Sequence, residues 1–410
     1  MNKILSIIFT ALYFIGLTIS PTKSAQADEL FTWGDNALGQ LGYVTTGLQT
    51  TPAPVTGQNG ILSVAAGNSH TVFLKSDRIV YAMGDNTFGQ IGNATTAQAV
   101  IPVSTGLTGA VMVAAGSFQS FALKADGTVW GWGQNTSGEL GIATSANALV
   151  PTQATGINNI VAIAAGGNHT LALRADGTVW ATGQNDAGQL GDGTTTARAN
   201  FAQVPGITGA AAISAGGKFS LALLSDGSVL GWGNNSALQV ASTTANVLTP
   251  TKITGGASSI SAGLNFALAR LSDGTVVSWG DNSFGQLGQG TTSATPSGTP
   301  AKVSFSTLIK LIAAGGGHAL AVSADGRLFA WGSNASGQVG DGSQTNSATP
   351  VEIGFLAGGD VIGIAAGAAH SAAFIAAGSG TAAGGTTSRA VGFVNQTSTT
   401  GITGATTTTA

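Results

Sequence analysis

Four histidines are the side chains of this sequence best suited to proton transfer or metal binding, and all four recur at one position of a repeated pattern. Each lies three residues after the glycine of an Ala-Ala-Gly sequence; they are His70, His169, His318 and His370. Gln119, Phe219 and Phe266 occupy the same position elsewhere. A catalytic or metal-binding histidine has no reason to recur in frame, so we expect structural imidazoles that hydrogen-bond the local backbone. Acid–base or metal chemistry is the alternative.

Most carboxylates follow the same pattern. Five precede a glycine in predicted hairpins: Asp126, Asp176, Asp226, Asp273 and Asp325. Three more follow a Trp-Gly or Met-Gly pair: Asp35, Asp85 and Asp281. Outside these positions the candidates include Glu139, Asp186, Glu352 and Asp360. General acid–base catalysis needs two carboxylates that face each other, and no spacing unites these, so we expect solvated side chains.

Other signatures of chemistry are missing from the sequence. It has no Gly-x-Ser-x-Gly elbow, phosphate-binding loop, His-Glu-x-x-His or calcium loop. It has no cysteine either, which excludes a disulfide, a thiolate nucleophile and a thiolate metal site. The seven tryptophans precede the Asn loops and are expected in the core. We therefore predict no enzyme, no catalytic residue, no cofactor and no metal.

Seven segments share the frame that positions these residues. In the complete units the Ala-Ala-Gly and Trp-Gly glycines lie 17 residues apart, as Gly166 and Gly183 do, whereas the connections between units vary in length. Residues 170–174 and 178–182 alternate apolar and other side chains, which predicts two strands joined by an Asp-Gly hairpin. Residues 160–165 predict a preceding strand. A fourth, edge strand is expected near the proline of several units: Pro102, Pro151, Pro250 and Pro350.

Four strands per unit, repeated seven times, predict an all-β, seven-bladed β-propeller of four-stranded antiparallel blades. A solenoid is the alternative. The chain opens with a Trp-Gly half-unit at Trp33 and finishes with an Ala-Ala-Gly half-unit at Gly367. Joining the two halves would complete a blade and remove the exposed sheet edges. We therefore expect a closed ring.

These motifs resemble the regulator of chromosome condensation repeat family over residues 30–374. The third unit shows the resemblance in Ala164-Ala165-Gly166, His169, Asp176-Gly177 and Gly188-Gln189-Leu190-Gly191. Met83 and Thr182 replace the tryptophan, Arg78 replaces a hairpin glycine, and the loop after Gly233 lacks its glycines. The resemblance implies a propeller; its members include a guanine-nucleotide exchange factor and binding modules.

Both ends of the chain differ from the repeats. Residues 1–27 combine a positive start, an apolar run and the small-residue site Ala25-Gln26-Ala27, which predicts a signal peptide. A membrane anchor left uncut is the alternative. Residues 28–375 are the predicted propeller. The Thr-, Gly- and Ala-rich residues 376–410 predict a disordered tail. We expect an exported chain, secreted or periplasmic, with no membrane span after cleavage.

Strand direction predicts a binding face. The turn before each histidine position and the loop after each Trp-Gly glycine share one face, which we call the upper face; the hairpins and the connections between blades share the lower face. The candidate residues on the upper face are Leu38, Tyr43, Phe88, Phe118, Lys218 and Phe284. Exposed apolar clusters and aromatic side chains are typical of interfaces. Packing of Leu38, Phe88 and Phe284 onto their own blades is the alternative.

The function that fits these observations is a non-catalytic, exported scaffold that binds a macromolecule, expected to be a protein. A formal charge of −3 and the lack of a basic cluster exclude nucleic acid as an expected partner. We expect a monomer. The alternatives are exchange-factor activity, implied only by the resemblance, and a cell-surface adhesive or structural protein.

Overall fold

The computed structural model describes residues 28–240, 242–356 and 360–376. The predicted signal peptide, and the predicted tail beyond Ala376, lie outside these residues. The described residues form seven four-stranded sheets, and every paired strand in them is antiparallel. The prediction of an all-β, seven-bladed propeller is confirmed. No helix within the described ranges has the length and apolar character that crossing a bilayer requires.

Strands are numbered along the chain, and blade 7 is the one that combines the first two strands with the last two. Blade 1 is β3 (Ile61–Ala66), β4 (His70–Lys75), β5 (Ile79–Gly84) and β6 (Ala99–Thr108). Blade 2 is β7 (Ala110–Ala115), β8 (Gln119–Lys124), β9 (Val129–Gly133) and β10 (Ala148–Gln153). Blade 3 is β11 (Ile160–Ala165), β12 (His169–Arg174), β13 (Val179–Gly183) and β14 (Arg198–Gln203).

The remaining blades continue the same order. Blade 4 is β15 (Ala210–Ala215), β16 (Phe219–Leu224), β17 (Val229–Gly233) and β18 (Val247–Thr254). Blade 5 is β19 (Ala257–Ala262), β20 (Phe266–Leu271), β21 (Val276–Asn282) and β22 (Ser293–Val303). Blade 6 is β23 (Ile309–Ala314), β24 (His318–Ser323), β25 (Leu328–Gly332) and β26 (Ser347–Glu352). Blade 7 is β27 (Val361–Ala366), β28 (His370–Ile375), β1 (Glu29–Gly34) and β2 (Gln49–Asn59), and a 3₁₀ turn (Gly354–Leu356) precedes β27.

The hairpin between the second and third strands forms as the sequence predicts. In blade 3, Leu173 pairs with Val179, and Gly177 takes a φ of +80° in the turn. Asp176 Oδ1 accepts a hydrogen bond from Thr178 N at 3.0 Å, so the aspartate stabilises the turn. Arg78, which replaces the glycine in blade 1, adopts the same left-handed conformation with a φ of +63°.

Blade 7 closes the ring. β28 and β1 pair from Glu29 opposite Ile375 to Gly34 opposite His370, so the two half-units form one sheet. The predicted joining of the halves is therefore confirmed. The proline-containing segments at Pro102, Pro151, Pro250 and Pro350 form the outermost strands, also as predicted.

The inner strands of neighbouring blades are joined by backbone hydrogen bonds around the central axis. In every blade, an N–H that follows the Ala-Ala or Ser-Ala pair donates to a carbonyl oxygen of the next blade, at 2.9–3.4 Å. Asn68 N donates to Ser117 O at 3.2 Å, and Ala368 N donates to Gly67 O at 3.2 Å where the ring closes. Each of the seven inner glycines lies against the carbonyl oxygen of the inner glycine of the next blade, and a Cβ at any of them would collide with it.

The tryptophans divide into two groups. Five are fully buried and donate from Nε1 to a carbonyl of the preceding blade, as Trp132 does to Gln90 O at 2.9 Å. The prediction that all seven lie in the core is wrong for Trp130 and Trp180, which are only partly buried. They lie beneath cationic side chains, with Lys124 Nζ 4.5 Å from the Trp130 ring centre. The repeat frame did not show this because these two precede the core position by two residues.

The axial packing predicts a difference between two Gly→Ala substitutions. A Cβ at Gly166 would lie 2.5 Å from Gly216 O and would also strike the His169 ring, so Gly166→Ala should lower the free energy of unfolding by about 2 kcal/mol or more. Gly255 has open space around its Cα and no positive φ, so Gly255→Ala should change stability by less than about 0.5 kcal/mol. Urea unfolding measures both; equal effects would contradict the axial packing.

Candidate functional site

The upper face consists of seven turns and seven loops at the same end of the strands. In blade 3, Gly183 pairs with both His169 and Arg198, so the turn before His169 and the loop over residues 184–197 lie together. The predicted strand directions are thereby confirmed. The seven-fold repeat then places one turn and one loop of every blade on this face.

Each loop is held by its own amide side chains. In blade 1, Asn86 Oδ1 accepts from Ile91 N at 2.9 Å, and its Nδ2 donates to Thr95 O at 2.9 Å. Gln90 Nε2 donates to Asp85 Oδ2 at 2.9 Å. Asp85 is thus a structural acceptor of the loop, as its recurrence in the frame indicates. A loop fixed in this way presents its outer side chains at defined positions.

Phe88 and Phe118 are brought together across the seam between blades 1 and 2. Their ring centres are 5.2 Å apart at an interplanar angle of 63°, an edge-to-face arrangement. Phe284 lies in the same loop position of blade 5, beside Gly317 of blade 6, and is 45% exposed. Leu38 holds that position in blade 7 and is 37% exposed. Phe88 and Phe284 therefore lie at boundaries between blades, and Leu38 and Phe284 expose apolar surface to solvent.

Lys218 belongs to a different part of the face. Its Nζ lies 2.6 Å from Asp186 Oδ2, which places an ion pair across the seam between blades 3 and 4. The structure does not bring Lys218 next to the Phe88–Phe118 pair, because blade 3 lies between them. Asp186, expected to be solvated, has a side chain that is 52% exposed and that also pairs with a cation of the next blade.

Tyr43 is committed to its own blade. Its hydroxyl lies 2.8 Å from Thr32 O and 2.6 Å from Ala53 O, and it accepts a hydrogen bond from Thr32 Oγ1 at 2.9 Å. Burial raises the pKa of Tyr43 to about 12. The residue joins β1 to β2 and packs against the cluster that contains Leu30 and Val55. Its replacement would disturb blade 7 as well as the upper face.

The histidines connect neighbouring blades, so the expectation of bonds to the local backbone is wrong. His169 Nε2 lies 2.9 Å from Ser220 Oγ of the next blade, and Ser220 Oγ donates to Gln189 O at 2.8 Å. His70, His318 and His370 make the equivalent contacts with Ser120, Ser371 and Thr71. Because each hydroxyl donates its only proton to a backbone carbonyl, it can only accept from the imidazole, which must therefore donate from Nε2. Nδ1 has no hydrogen-bond partner within the described residues, which fits a neutral ring.

The residue at the histidine position and the residue that it contacts in the next blade vary together from seam to seam. Where Phe219 and Phe266 replace histidine, the next blade supplies Ala267 and Ala319 instead of a hydroxyl. Where Gln119 replaces it, Nε2 donates to Gly166 O at 3.1 Å, and Thr170 Oγ1 still donates to Glu139 O at 2.8 Å. The seams are therefore either polar and hydrogen-bonded or apolar and filled by a ring. This accounts for the recurrence of the histidines without catalysis.

The remaining unframed carboxylates do not converge. Glu352 and Asp360 form ion pairs with Arg327 and Lys310 on the lower face, at 2.9 and 2.8 Å. Glu139 is fully buried rather than solvated, and burial raises its pKa. It takes the position that glutamine occupies in the other loops, and its Oε2 accepts from Ser137 N at 2.7 Å. Within the described part of the chain, no group of three or more His, Asp or Glu side chains is placed to hold a metal.

Sequence comparison agrees with this geometry. The profile of the RCC1-like domain matches residues 22–257. The chain belongs to the RCC1-like domain family. The regulator of chromosome condensation (RCC1) repeat also matches residues 273–322 and 325–374, and a second profile of that repeat matches residues 257–286 and 309–338. Together these matches cover all seven blades of this RCC1-like propeller.

Individual relatives share parts of this RCC1-like chain. The ultraviolet-B receptor UVR8 of Arabidopsis thaliana is 39% identical over 89 residues, which are 22% of this chain and 20% of the receptor. The human E3 ubiquitin-protein ligase HERC2 is 38% identical over 96 residues, 23% of this chain and 2% of the ligase. The crystal structure of Prp20p from Saccharomyces cerevisiae superposes with a TM-score of 0.77 at 22% identity, covering 86% of this chain and 92% of that one. It shows the same fold.

Stability should fall in acid because of the seam histidines. Burial lowers the pKa of His169 to about 4, below the ordinary 6.5, so between these values the unfolded chain binds a proton that the folded chain excludes. The free energy of unfolding must then decrease as pH falls through this window, by about 1.4 kcal/mol per pH unit for each such histidine. His169→Phe with Ser220→Ala, which copies the Phe219–Ala267 seam, should remove one such contribution from urea unfolding curves.

The matched control is Gln119→Phe with Thr170→Ala. It makes the same replacement at a seam that has no histidine, so it should retain the pH dependence of the parent. Parallel pH dependence in all three chains would show that the buried imidazoles do not control acid stability.

Proposed function

We propose that the protein is a non-catalytic β-propeller scaffold that binds a protein partner through its upper face. The observation that carries this proposal is the Phe88–Phe118 pair, two aromatic rings from neighbouring blades that are partly exposed on rigid loops. With Leu38 and Phe284, it gives the upper face solvent-facing apolar side chains without a catalytic constellation. Aromatic residues held in place are the usual centres of protein interfaces.

The fold relatives support binding of this kind. Prp20p, whose crystal structure shares this fold, has binding properties toward Gsp1p and histones, and a second crystal structure contains Kap60 bound to the same yeast protein. Protein binding by a propeller of this family is therefore established for a relative that shares the fold. The partner of this chain is a separate question, because identity to that relative is 22%.

Export is part of the proposal. The support is the sequence of residues 1–27, with its apolar run and the small residues at Ala25 and Ala27. The chain has no cysteine, so an exported form would have to be stable without disulfides, and the large buried core of the seven blades can provide that stability. The partner would then be met outside the cytoplasm.

The binding face is tested with paired serine substitutions. Phe88→Ser with Phe118→Ser should weaken capture of the natural partner at least about tenfold, because two interface aromatics contribute about 1–2 kcal/mol each. Ile101→Ser with Leu308→Ser removes exposed apolar surface from the edge of blade 1 and from the lower connection and should leave capture unchanged. Quantitative co-purification measures both, with thermal unfolding as a check on the fold. Loss only in the second pair would place the interface elsewhere.

Export is tested on the chain produced in its native cell. We expect an N-terminus at Asp28 in the exported fraction, found by N-terminal sequencing. An intact Met1 in all of the protein, with none outside the cytoplasm, would overturn this part of the proposal.

A further inference from the structure

Charge is distributed unequally between the two faces. The upper turns and loops, with the last two residues of β21 and the first residue of β14, contain seven carboxylates and only two cations. The other Lys and Arg side chains of the described residues lie toward the lower face, where the hairpin aspartates and Glu352 lie beside them. The upper face therefore has an excess of negative charge, and the lower face is close to balance.

The two upper cations neutralise only one sector. Arg198 pairs with Asp192 at 2.7 Å and Lys218 pairs with Asp186 at 2.6 Å, both in the loop of blade 3. The buried Glu139 aside, four acidic residues of the upper face have no ion-pair partner within the described ranges; they are Asp35, Asp85, Asp281 and Asp341. They belong to blades 5, 6, 7 and 1, which follow one another around the ring.

The apolar side chains of the face occupy the same sector. Phe284 lies on blade 5, Leu38 on blade 7, Phe88 on blade 1 and Phe118 on blade 2. We call this region, from blade 5 through blade 7 to blade 2, the acidic arc. It combines these four carboxylates, of which Asp35, Asp281 and Asp341 are partly exposed and Asp85 is buried, with the four solvent-facing apolar residues. Over blades 3 and 4, both loop carboxylates of the described residues pair with a cation, and the position of Phe88 holds Ala187 and Ala237.

We propose that the acidic arc binds a lysine- or arginine-rich protein segment that also presents leucine or aromatic side chains. The inference rests on the proposed function and names the chemistry of its partner. Carboxylates alone would attract any cation. Leu38, Phe88 and Phe284 lie between them, so a partner that also carries apolar side chains would bury this surface at the same contact. Oriented loops keep the carboxylates from turning away, so their summed field steers a cationic partner and favours it over acidic ones.

A pair of synthetic peptides tests the chemistry directly. One alternates lysine and leucine, and the other replaces every lysine with glutamate. Calorimetric titration should show that the folded chain binds the lysine peptide at least about tenfold more tightly than the glutamate peptide. The affinity should decrease as ionic strength rises, because salt screens charges that are not fully buried.

The substitutions that locate the site are Asp35→Asn with Asp281→Asn. Asparagine suits this loop position, since Asn234 occupies it in blade 4 and accepts from Gln239 Nε2 at 2.9 Å. Affinity for the lysine peptide should decrease at least about fivefold. Asp126→Asn with Asp226→Asn removes the same charge from the lower hairpins and should leave the affinity unchanged.

Three results would overturn the inference: no binding of the lysine peptide at low salt, equal binding of both peptides, or equal loss in the upper and lower variants. The proposed function has its own readout. If Phe88→Ser with Phe118→Ser abolishes capture of the natural partner while Asp35→Asn with Asp281→Asn retains it, the upper face binds a protein but its partner is not cationic. If both variants retain capture, the proposed function fails as well.

Discussion

Seven glycines meet around the central axis, each pressed against a carbonyl oxygen of the next blade. No side chain fits there, and the backbone hydrogen bonds that run from blade to blade at 2.9–3.4 Å form only while this approach is kept. The contact fixes the distance and angle between neighbouring blades. Since each blade is set relative to the next, the seventh must return to the first, and pairing of β1 with β28 completes the circle.

The outer parts of each seam follow from that spacing. The Gln90 carbonyl receives both Trp132 Nε1 and Ser120 Oγ from the next blade, so the loop that carries Phe88 is tied to its neighbour as well as to its own strand. The backbone of this loop is therefore held by two blades at once. This rigidity limits the conformational entropy that binding would cost, which suits a scaffold.

The fold was predictable because glycine, Asp-Gly and Trp-Gly recur at a fixed spacing, and each has a local physical cause. The hydrogen-bond partners of the histidines were not predictable, since His169 and Ser220 are 51 residues apart and belong to different units. A signal does exist: a histidine in one unit accompanies a hydroxyl in the next, and a phenylalanine accompanies an alanine. Within the candidate site, the frame located Phe88 and Phe118 but gave no indication that the Tyr43 hydroxyl is used by Thr32 and Ala53.

The seam pairs also make the blades non-interchangeable. Each blade places one residue against the preceding blade and another against the following blade. In blade 3 these residues are Thr170 and His169, respectively. A second copy of blade 3 beside the first would therefore form a histidine–threonine contact, as His370 and Thr71 already do. Blade 4 places Ser220 against the preceding blade but Phe219 against the following one, and blade 6 places Ala319 against the preceding blade but His318 against the following one. Blades 4 and 6 therefore act as adaptors: each joins a polar seam on one side to the apolar seams of blade 5 on the other. During growth of the ring by gene duplication, blade 5 could be copied beside itself, whereas an adaptor copied alone would place a ring against a hydroxyl or an imidazole against a methyl group.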